Sequence, residues 1–255
     1  MMQESAPMPR RKPVGKPPRI NFGALTRDAL EVMAAAGREV LECHRVVAKT
    51  GGNIVGEVLR GQGTFYEWNH YPKGDVYDSE TYSQYYYHAH AAGQREGEHG
   101  HFHTFLRPKG MPAGIAPAPV PDFTPPKGDN DALSHLIGVS MNRPGIAIGL
   151  FGTNRWVTGE TWYKAEDVVA MLDRFEIDHA RPSWPTNRWI GAMIRLFRPQ
   201  IVALLRQRDA AMASWQRQHP DDNAYEDRRL EVTSEMKVSV DDQIRHVTAA
   251  LERFG

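Results

Sequence analysis

Apolar residues recur at three- and four-residue intervals near the start of the chain and again in its second half, which is the periodicity of amphipathic helices. The first such stretch follows Thr26, a typical N-cap residue, and ends at the glycine pair 51–52. In the second half, the same period predicts helices that begin at Ala165, at Thr186 and after Ser239. Helices are therefore predicted on both sides of a middle region with a different pattern.

The middle region is rich in aromatic and β-branched residues and in turn sequences, which is typical of strands. Residues 82–90 and 99–106 predict one hairpin, and residues 133–141 and 146–153 predict a second hairpin joined by the turn sequence NRPG. Alternation over 230–238 predicts one further strand. The predicted fold class is α+β, with an antiparallel β-sheet built from hairpins and covered by N-terminal and C-terminal helices.

Composition divides the chain into a tail and a domain. Residues 1–20 contain five prolines and five basic residues against one acidic residue, so we expect a disordered, basic, proline-rich tail. Residues 21–255 are predicted to form a single α+β domain, in which 21–163 contain the first helix and the histidine-bearing sheet and 164–255 are mainly helical with one strand. The proline-rich loop 108–128 lies between the hairpins, and its composition fits either a lid or a stiff surface spacer.

Charge and cysteine content exclude several classes of protein. The 31 basic residues balance 31 acidic residues, so no net field attracts nucleic acid or a membrane surface. No apolar run reaches the roughly 18 residues of a membrane span, and the N-terminus lacks the apolar core of a signal peptide. The single cysteine, Cys43, excludes a thiolate-rich metal site and suits a reducing compartment. We therefore expect a cytoplasmic protein with a small-molecule substrate or ligand and without a nucleic-acid or membrane partner.

The stretch YYYHAHAAGQREGEHGHFHTFL contains five of the eleven histidines of the chain. Alternate residues of a strand share one face, so the spacing predicts that His88 and His90 project together and that His99, His101 and His103 share one face of the partner strand. If His90 pairs with His99 or His101, all five imidazoles lie on one side of the sheet.

Imidazoles on one face of a hairpin are close enough to share a metal ion. The preferred ligands are His88, His90 and His101, and His103 and His99 compete with them. Because sulfur ligands are absent, the predicted cofactor is a divalent transition metal, namely iron, copper or zinc, and a structural zinc is disfavoured. Two alternatives stay open: metal-free histidines that act as acids and bases or bind an anion, and a structural cluster hydrogen-bonded to tyrosines and backbone.

Three further residues are candidates for catalysis. Tyr86 shares the face of His88 and can donate a hydrogen bond or stabilise an oxyanion beside a metal. Glu98 lies at the hairpin turn and can act as a ligand, as a partner of a ligand or as a proton shuttle. Arg155 follows a strand and can bind a substrate carboxylate, although an exposed ion pair also fits. His135, on the second hairpin, fits either a buried core position or a ligand from a neighbouring strand.

These candidates predict a small-molecule metalloenzyme, either a non-haem iron or copper oxidoreductase or a zinc hydrolase or lyase. The alternative is a non-catalytic protein that binds a metal, haem or a small anion through the same histidines. An enzyme keeps an open coordination position and a cavity beside its ion, whereas a carrier has a solvent-open or filled site.

Three stretches, HAHxxxxxxxEHGHFHTFLR, LFGTNRWVTGETWY and PSWPTNRWI, resemble an uncharacterised bacterial family described as a domain of unknown function, over roughly residues 25–210. That resemblance implies no activity and assigns no site residue. The histidine pairs are also similar to the H-x-H of cupin metal sites, where two histidines, a glutamate and a distant histidine hold iron, manganese or another ion. Here Glu96 follows the first pair, but the second cupin motif is not evident and long helices are foreign to that fold. The cupin similarity is therefore an analogy for the site alone.

Overall fold

The structure is a computed structural model that describes residues 15–90 and 95–254. Most of the predicted tail, residues 1–14, lies outside the described residues, and so does the tip of the first hairpin, residues 91–94. Residues 15–20 form neither helix nor strand. The disorder of the tail and the single-domain organisation stay predictions.

The described residues contain seven α-helices. They are α1 (Arg27–Ala48), α2 (Ile54–Leu59), α3 (Arg155–Thr158), α4 (Ala165–Met171), α5 (Trp184–Leu196), α6 (Arg198–Gln218) and α7 (Val240–Leu251). Side-chain caps fix two of the predicted starts, because the hydroxyl of Thr26 accepts from the amide of Ala29 and that of Ser239 accepts from the amide of Asp242. The short helices α2 and α3 are too brief for their periodicity to predict them. None of these helices combines the length and apolar character that a membrane span requires.

Six strands form one antiparallel sheet in the order β1-β2-β3-β4-β5-β6. They are β1 (Tyr71–Tyr77), β2 (Ser83–His88), β3 (Gly100–Leu106), β4 (Ser134–Met141), β5 (Ala147–Thr153) and β6 (Val232–Lys237). Strands β2 to β6 match the predicted ones, and the α+β fold class is confirmed. Strand β1 lies within residues 61–84, whose aromatic, glycine-rich pattern predicts loops and short strands without fixing their bounds. Pro72 and Gly74 are tolerated in β1 because it is an edge strand.

One face of the sheet, which we call the helix face, packs against the helices and forms the main apolar core. Tyr85 and Tyr87 of β2 and Phe102 of β3 are fully buried in this core. The ring centroid of Phe102 lies 5.5 Å from that of Trp189 on α5, and the hydroxyl of Tyr85 donates to the side-chain oxygen of Asn187 at 2.6 Å. Each buried side chain of this size contributes roughly 1.5–3 kcal/mol of hydrophobic stabilisation. The opposite face, which we call the histidine face, carries the residues of the candidate site.

The middle of the proline-rich loop is anchored to the rest of the protein. The amide of Ala118 donates to the carbonyl of Trp162 at 2.8 Å. Val120 packs in a small apolar cluster with Trp162 and Trp215. Whether the loop serves as a lid or as a spacer stays a prediction.

Candidate metal centre

The register of β2 on β3 brings histidines of the two strands together. His88 pairs with His101, and Tyr86 pairs with His103. Directly paired residues of antiparallel strands project to the same side, so these four side chains share the histidine face. The predicted common face of the two strands is therefore present for these residues.

Three of the imidazoles form a compact group, which we call the histidine triad: His88, His101 and His103. Each offers one ring nitrogen, and the three nitrogens lie within 4.8 Å of one another. The ring centroids of His88 and His101 are 4.4 Å apart, and those of His101 and His103 are 4.8 Å apart. Three nitrogens bound to a tetrahedral ion at about 2.0–2.1 Å are roughly 3.4 Å apart. Small ring rotations would therefore close the triad around an ion.

Two nitrogens of the triad are buried without a hydrogen-bond partner, namely Nε2 of His88 and Nε2 of His103. A buried polar atom without a partner costs about 1–3 kcal/mol, and coordination of an ion by these two nitrogens would remove that cost. In His101, Nδ1 lies 2.7 Å from the carboxylate of Glu98, which leaves Nε2 as the nitrogen available to an ion. The donors of the triad thus fit a transition metal.

Burial keeps the triad neutral at pH 7. Desolvation, followed by the neighbouring histidines, lowers the pKa of His88 to about 3. Desolvation also holds the pKa of His101 and of His103 well below the usual 6.5. Metal ions bind imidazole in its neutral form, so no proton has to leave these rings before an ion enters.

Glu98 contacts His101 at Nδ1, the ring nitrogen that is not the one available to an ion. Its Oε1 lies 2.7 Å from Nδ1 of His101, and its Oε2 accepts from the guanidinium of Arg95 at 3.2 Å. A carboxylate on one nitrogen of an imidazole fixes the tautomer and makes the other nitrogen a stronger donor. The contact fits one of the roles predicted for Glu98, the partner of a candidate ligand, and its catalytic role stays a prediction.

His90, a preferred ligand in the sequence analysis, borders the triad instead of belonging to it. Its ring centroid lies 5.1 Å from those of both His88 and His101, and it packs edge-on against Trp68 at 4.4 Å. His90 lies beyond the last residue of β2 but stays on the side of the sheet that His88 occupies. His103, inside β3, occupies the place predicted for His90.

The prediction that His99 shares the face of His101 is wrong. Strand β3 begins at Gly100, so His99 lies just before the extended backbone that enforces alternation. Its Nδ1 lies 2.6 Å from the hydroxyl of Tyr87, whose ring belongs to the helix face. His99 is therefore turned away from the triad.

Tyr86 lies beside the triad, on the face predicted for it. Its ring centroid is 5.2 Å from that of His103 and 5.6 Å from that of His88. His70 stacks on Tyr86 with centroids 3.6 Å apart, and its Nδ1 lies 3.1 Å from the carboxylate of Asp75. The sequence marks His70 and Asp75 as polar residues of a loop, and it does not predict His70 at the site, because its place depends on strand β1.

The site has a solvent side and a buried side. The side chain of His70 is 45% exposed, and His88 and His90 are partly exposed. His101 and His103 are 1% exposed. An ion or a small molecule therefore reaches the triad from the side of His70 and His90.

Arg155 is engaged elsewhere. Its Nε donates to the carboxylate of Glu226 at 2.7 Å, and its Nη1 donates to the carbonyl of Glu160 at 3.3 Å. The guanidinium also lies over the ring of Phe123, 4.3 Å from the centroid. Arg155 therefore forms the exposed ion pair that the sequence also allowed, with Glu226 as its partner, and its role in binding a substrate carboxylate stays a prediction.

A further buried histidine contacts the triad from β4. A register shift in the pairing of β3 with β4 sets His135 opposite Phe105, so that His135 lies on the histidine face instead of following Ile137 into the core. Its Nε2 lies 2.9 Å from Nδ1 of His103. The amide of His135 donates to the carboxylate of Glu160 at 2.7 Å, and burial raises the pKa of that carboxylate to about 7. His135 is thus buried, as one of its two predictions had it, and it contacts a candidate ligand without belonging to the triad.

Strand β5 covers the triad with an aromatic ring. The centroid of Phe151 lies 5.0 Å from that of His101 and 5.6 Å from that of His103. This contact requires glycine at position 138, because a Cβ on Gly138 would lie 2.4 Å from the Phe151 ring. The missing side chain lets the ring cross β4 and close one side of the site.

A family model described as Domain of unknown function (DUF6969) matches residues 34–238, a range that includes the whole triad. Comparison with curated proteins and with solved structures finds no match. No residue role follows from these comparisons, so a function has to be argued from the geometry.

Proposed function

The chain belongs to the family described as Domain of unknown function (DUF6969), and we propose that it binds a divalent transition-metal ion through His88, His101 and His103. The supporting observation is the pair of buried, unpartnered Nε2 atoms within a triad whose ligand atoms lie within 4.8 Å. A structural cluster would satisfy its buried nitrogens with hydrogen bonds. A metal ion satisfies them by coordination.

The set of donor atoms favours zinc or copper over iron as the bound metal. The triad contains imidazoles alone, and the carboxylate of Glu98 is already engaged by His101 and Arg95. Imidazole-only sites hold catalytic zinc, and imidazole also suits copper, whereas non-haem iron sites commonly include a carboxylate ligand.

We propose further that the protein is a small-molecule metalloenzyme. Three protein ligands leave one position of a four-coordinate ion for water or substrate. A zinc ion there supplies a water of lowered pKa for a hydrolase or lyase reaction, and copper supplies redox chemistry for an oxidation. Tyr86 borders the solvent side, and burial raises its pKa, so its hydroxyl stays protonated and can donate a hydrogen bond to a bound group.

A metal carrier without catalysis is the second candidate function. It is favoured by His90, whose ring centroid lies 5.1 Å from those of two triad members. A modest movement of this ring would fill the fourth position and leave none for a substrate.

The metal content of the purified protein tests the first proposal. We expect about one equivalent of zinc or copper per chain for the wild type. The double variant His88→Ala, His101→Ala should lose it, while His246→Ala, which removes an exposed imidazole elsewhere, should retain it. Circular dichroism checks that each variant is folded. Equal metal content in the wild type and the double variant would overturn the proposal.

Loading the protein with cobalt distinguishes the enzyme proposal from the carrier proposal. If the fourth position is open, azide should bind to the cobalt-loaded wild type and change its visible spectrum. If His90 fills that position, azide should act only on the His90→Ala variant, and the enzyme proposal then fails while metal binding stands.

A further inference from the structure

We infer that His135 is a positioning residue for the metal site, because it holds His103 in the tautomer whose Nε2 is free for an ion. This role rests on the proposed function and concerns a residue outside the triad. The contact that carries it joins Nε2 of His135 to Nδ1 of His103 at 2.9 Å. Both side chains are buried, so water does not compete for the bond.

The proton of this hydrogen bond has two possible places, and one of them is compatible with a metal. A neutral imidazole carries its proton on one nitrogen only. If Nδ1–H of His103 donates to His135, Nε2 of His103 keeps a lone pair for the ion. If His135 donates instead, Nε2 of His103 carries the proton and becomes a buried N–H without a partner. The first arrangement is therefore the one the site uses.

The backbone around His135 is built to present its side chain to the triad. The register shift between β3 and β4 turns His135 toward the histidine face, opposite Phe105. Irregularities of this kind redirect single side chains and are common beside active sites. The amide of His135 is fixed by the fully buried carboxylate of Glu160 at 2.7 Å, and the neighbouring backbone is held by the amide of Thr161, which donates to the carbonyl of Leu133 at 3.0 Å. Burying a carboxylate costs free energy, so the hydrogen bond from the His135 amide to Glu160 indicates that the backbone position of His135 is important.

The two fully buried ligands thus have different supports. His101 is backed by the carboxylate of Glu98, which adds negative charge, whereas His103 is backed by a neutral imidazole. Neutral support fixes the ring and its tautomer without changing the charge of the site. Replacing His135 should therefore disturb the geometry of His103 and leave the charge balance of the site intact.

Two variants of His135 isolate this role. His135→Leu removes the acceptor and keeps an apolar side chain in the space. In His135→Gln, the amide oxygen lies near the place of Nε2 and can accept from Nδ1–H of His103. Ring ¹⁵N shifts of the labelled, metal-free protein report the tautomer of each neutral histidine. We expect the His103 proton on Nδ1 in the wild type and in His135→Gln, and a shift toward Nε2 in His135→Leu.

Metal affinity, measured by competition with a chromophoric chelator, gives the second readout. Loss of a hydrogen-bonded partner of a ligand typically weakens binding by about 10–100-fold, which we expect for His135→Leu. His135→Gln should restore most of the affinity, and His246→Ala should leave it unchanged. If His135 had a purely structural role, both His135 variants would be less stable and their metal affinities would not differ.

The wild-type spectrum alone can overturn the proposed role, whether or not the variants fold. A His103 proton on Nε2 in the wild type, or an unchanged His103 tautomer in folded His135→Leu, contradicts it. A wild type that shows the expected tautomer but takes up no zinc or copper contradicts the proposed function instead, so the two failures are distinguishable.

Discussion

The two faces of the central sheet differ in chemistry, because the helix face packs aromatic rings against the helices and the histidine face carries the imidazoles of the candidate site. On the helix face, Tyr85 and Phe102 are fully buried, and the polar atom of Tyr85 is satisfied by Asn187. On the histidine face, His101 and His103 are just as buried, yet Nε2 of His103 has no hydrogen-bond partner. Tyr85 follows the rule that buried polar atoms are paired, and His103 breaks it. Places where a protein breaks such a rule are commonly its functional sites.

Both faces share the same strands. In β2, Tyr85 and Tyr87 belong to the core, whereas Tyr86 and His88 border the candidate ion site. A slip of one residue in the β2–β3 register would send the imidazoles into the core and the aromatic rings to the site. The apolar core therefore also holds the triad in register.

The largest expected effect comes from the helix face. Trp189→Ala removes a fully buried indole that packs on Phe102 and donates to Nε2 of His44 at 3.1 Å. We expect a loss of about 3–5 kcal/mol in the free energy of unfolding, measured with urea. Metal bound per folded molecule should stay at the wild-type level. A folded Trp189→Ala that has lost its metal would show that the two faces are not separate.

A smaller effect comes from the histidine face and depends on pH. The pKa of His88 falls from 6.5 to about 3 on folding, mainly through burial. Between these values the unfolded chain binds more protons, so stability should fall as the pH is lowered from about 6.5 toward 3, by up to about 1.4 kcal/mol per pH unit for this group. Urea midpoints of the metal-free protein at pH 7, 6 and 5 measure the slope. His88→Phe should reduce the slope, while the buried His101 and His103 keep their own contributions. A slope unchanged by this variant would contradict the burial of a neutral His88.

The smallest expected effect has the opposite sign and concerns Glu160. Burial raises its pKa from 4.5 to about 7, so the folded protein binds the extra proton between these values. Its contribution to stability is full below pH 4.5 and is lost as the pH rises through about 7. Glu160→Gln imitates the protonated acid and keeps an acceptor for the amide of His135. We expect this variant to gain on the order of 1 kcal/mol over the wild type at pH 8 and little at pH 5, by urea unfolding. A gain in stability at pH 5 alone would contradict the raised pKa of Glu160.

Periodicity predicted most of the fold, because a helix or strand with one buried face carries the period of that face in its sequence. The same reasoning predicted the shared face of His88 and His101, since both lie inside regular strands. It also held for His90, whose ring lies beside those of His88 and His101, and it failed for His99, because β3 begins at Gly100. Alternation holds only where the backbone is extended.

The supports of the ligands were harder to predict than the ligands themselves. His135 reaches the triad through a register shift, and such a shift depends on how two strands pair instead of on the pattern within one. Glu98 lies three residues before His101, so its local contact was within reach of sequence reasoning, but the sequence did not separate a supporting role from a catalytic one. The cytoplasmic location and the small-molecule partner stay predictions.

The Phe151 ring, which fits beside the triad because Gly138 has no side chain, would also slow the exchange of a bound ion. Among the described residues, His70 and His90 form the exposed side of the site, so a bound ion would exchange past these two rings. The rate at which a chelator removes a bound metal should then stop rising with chelator concentration, because the exit of the ion past these rings becomes rate-limiting.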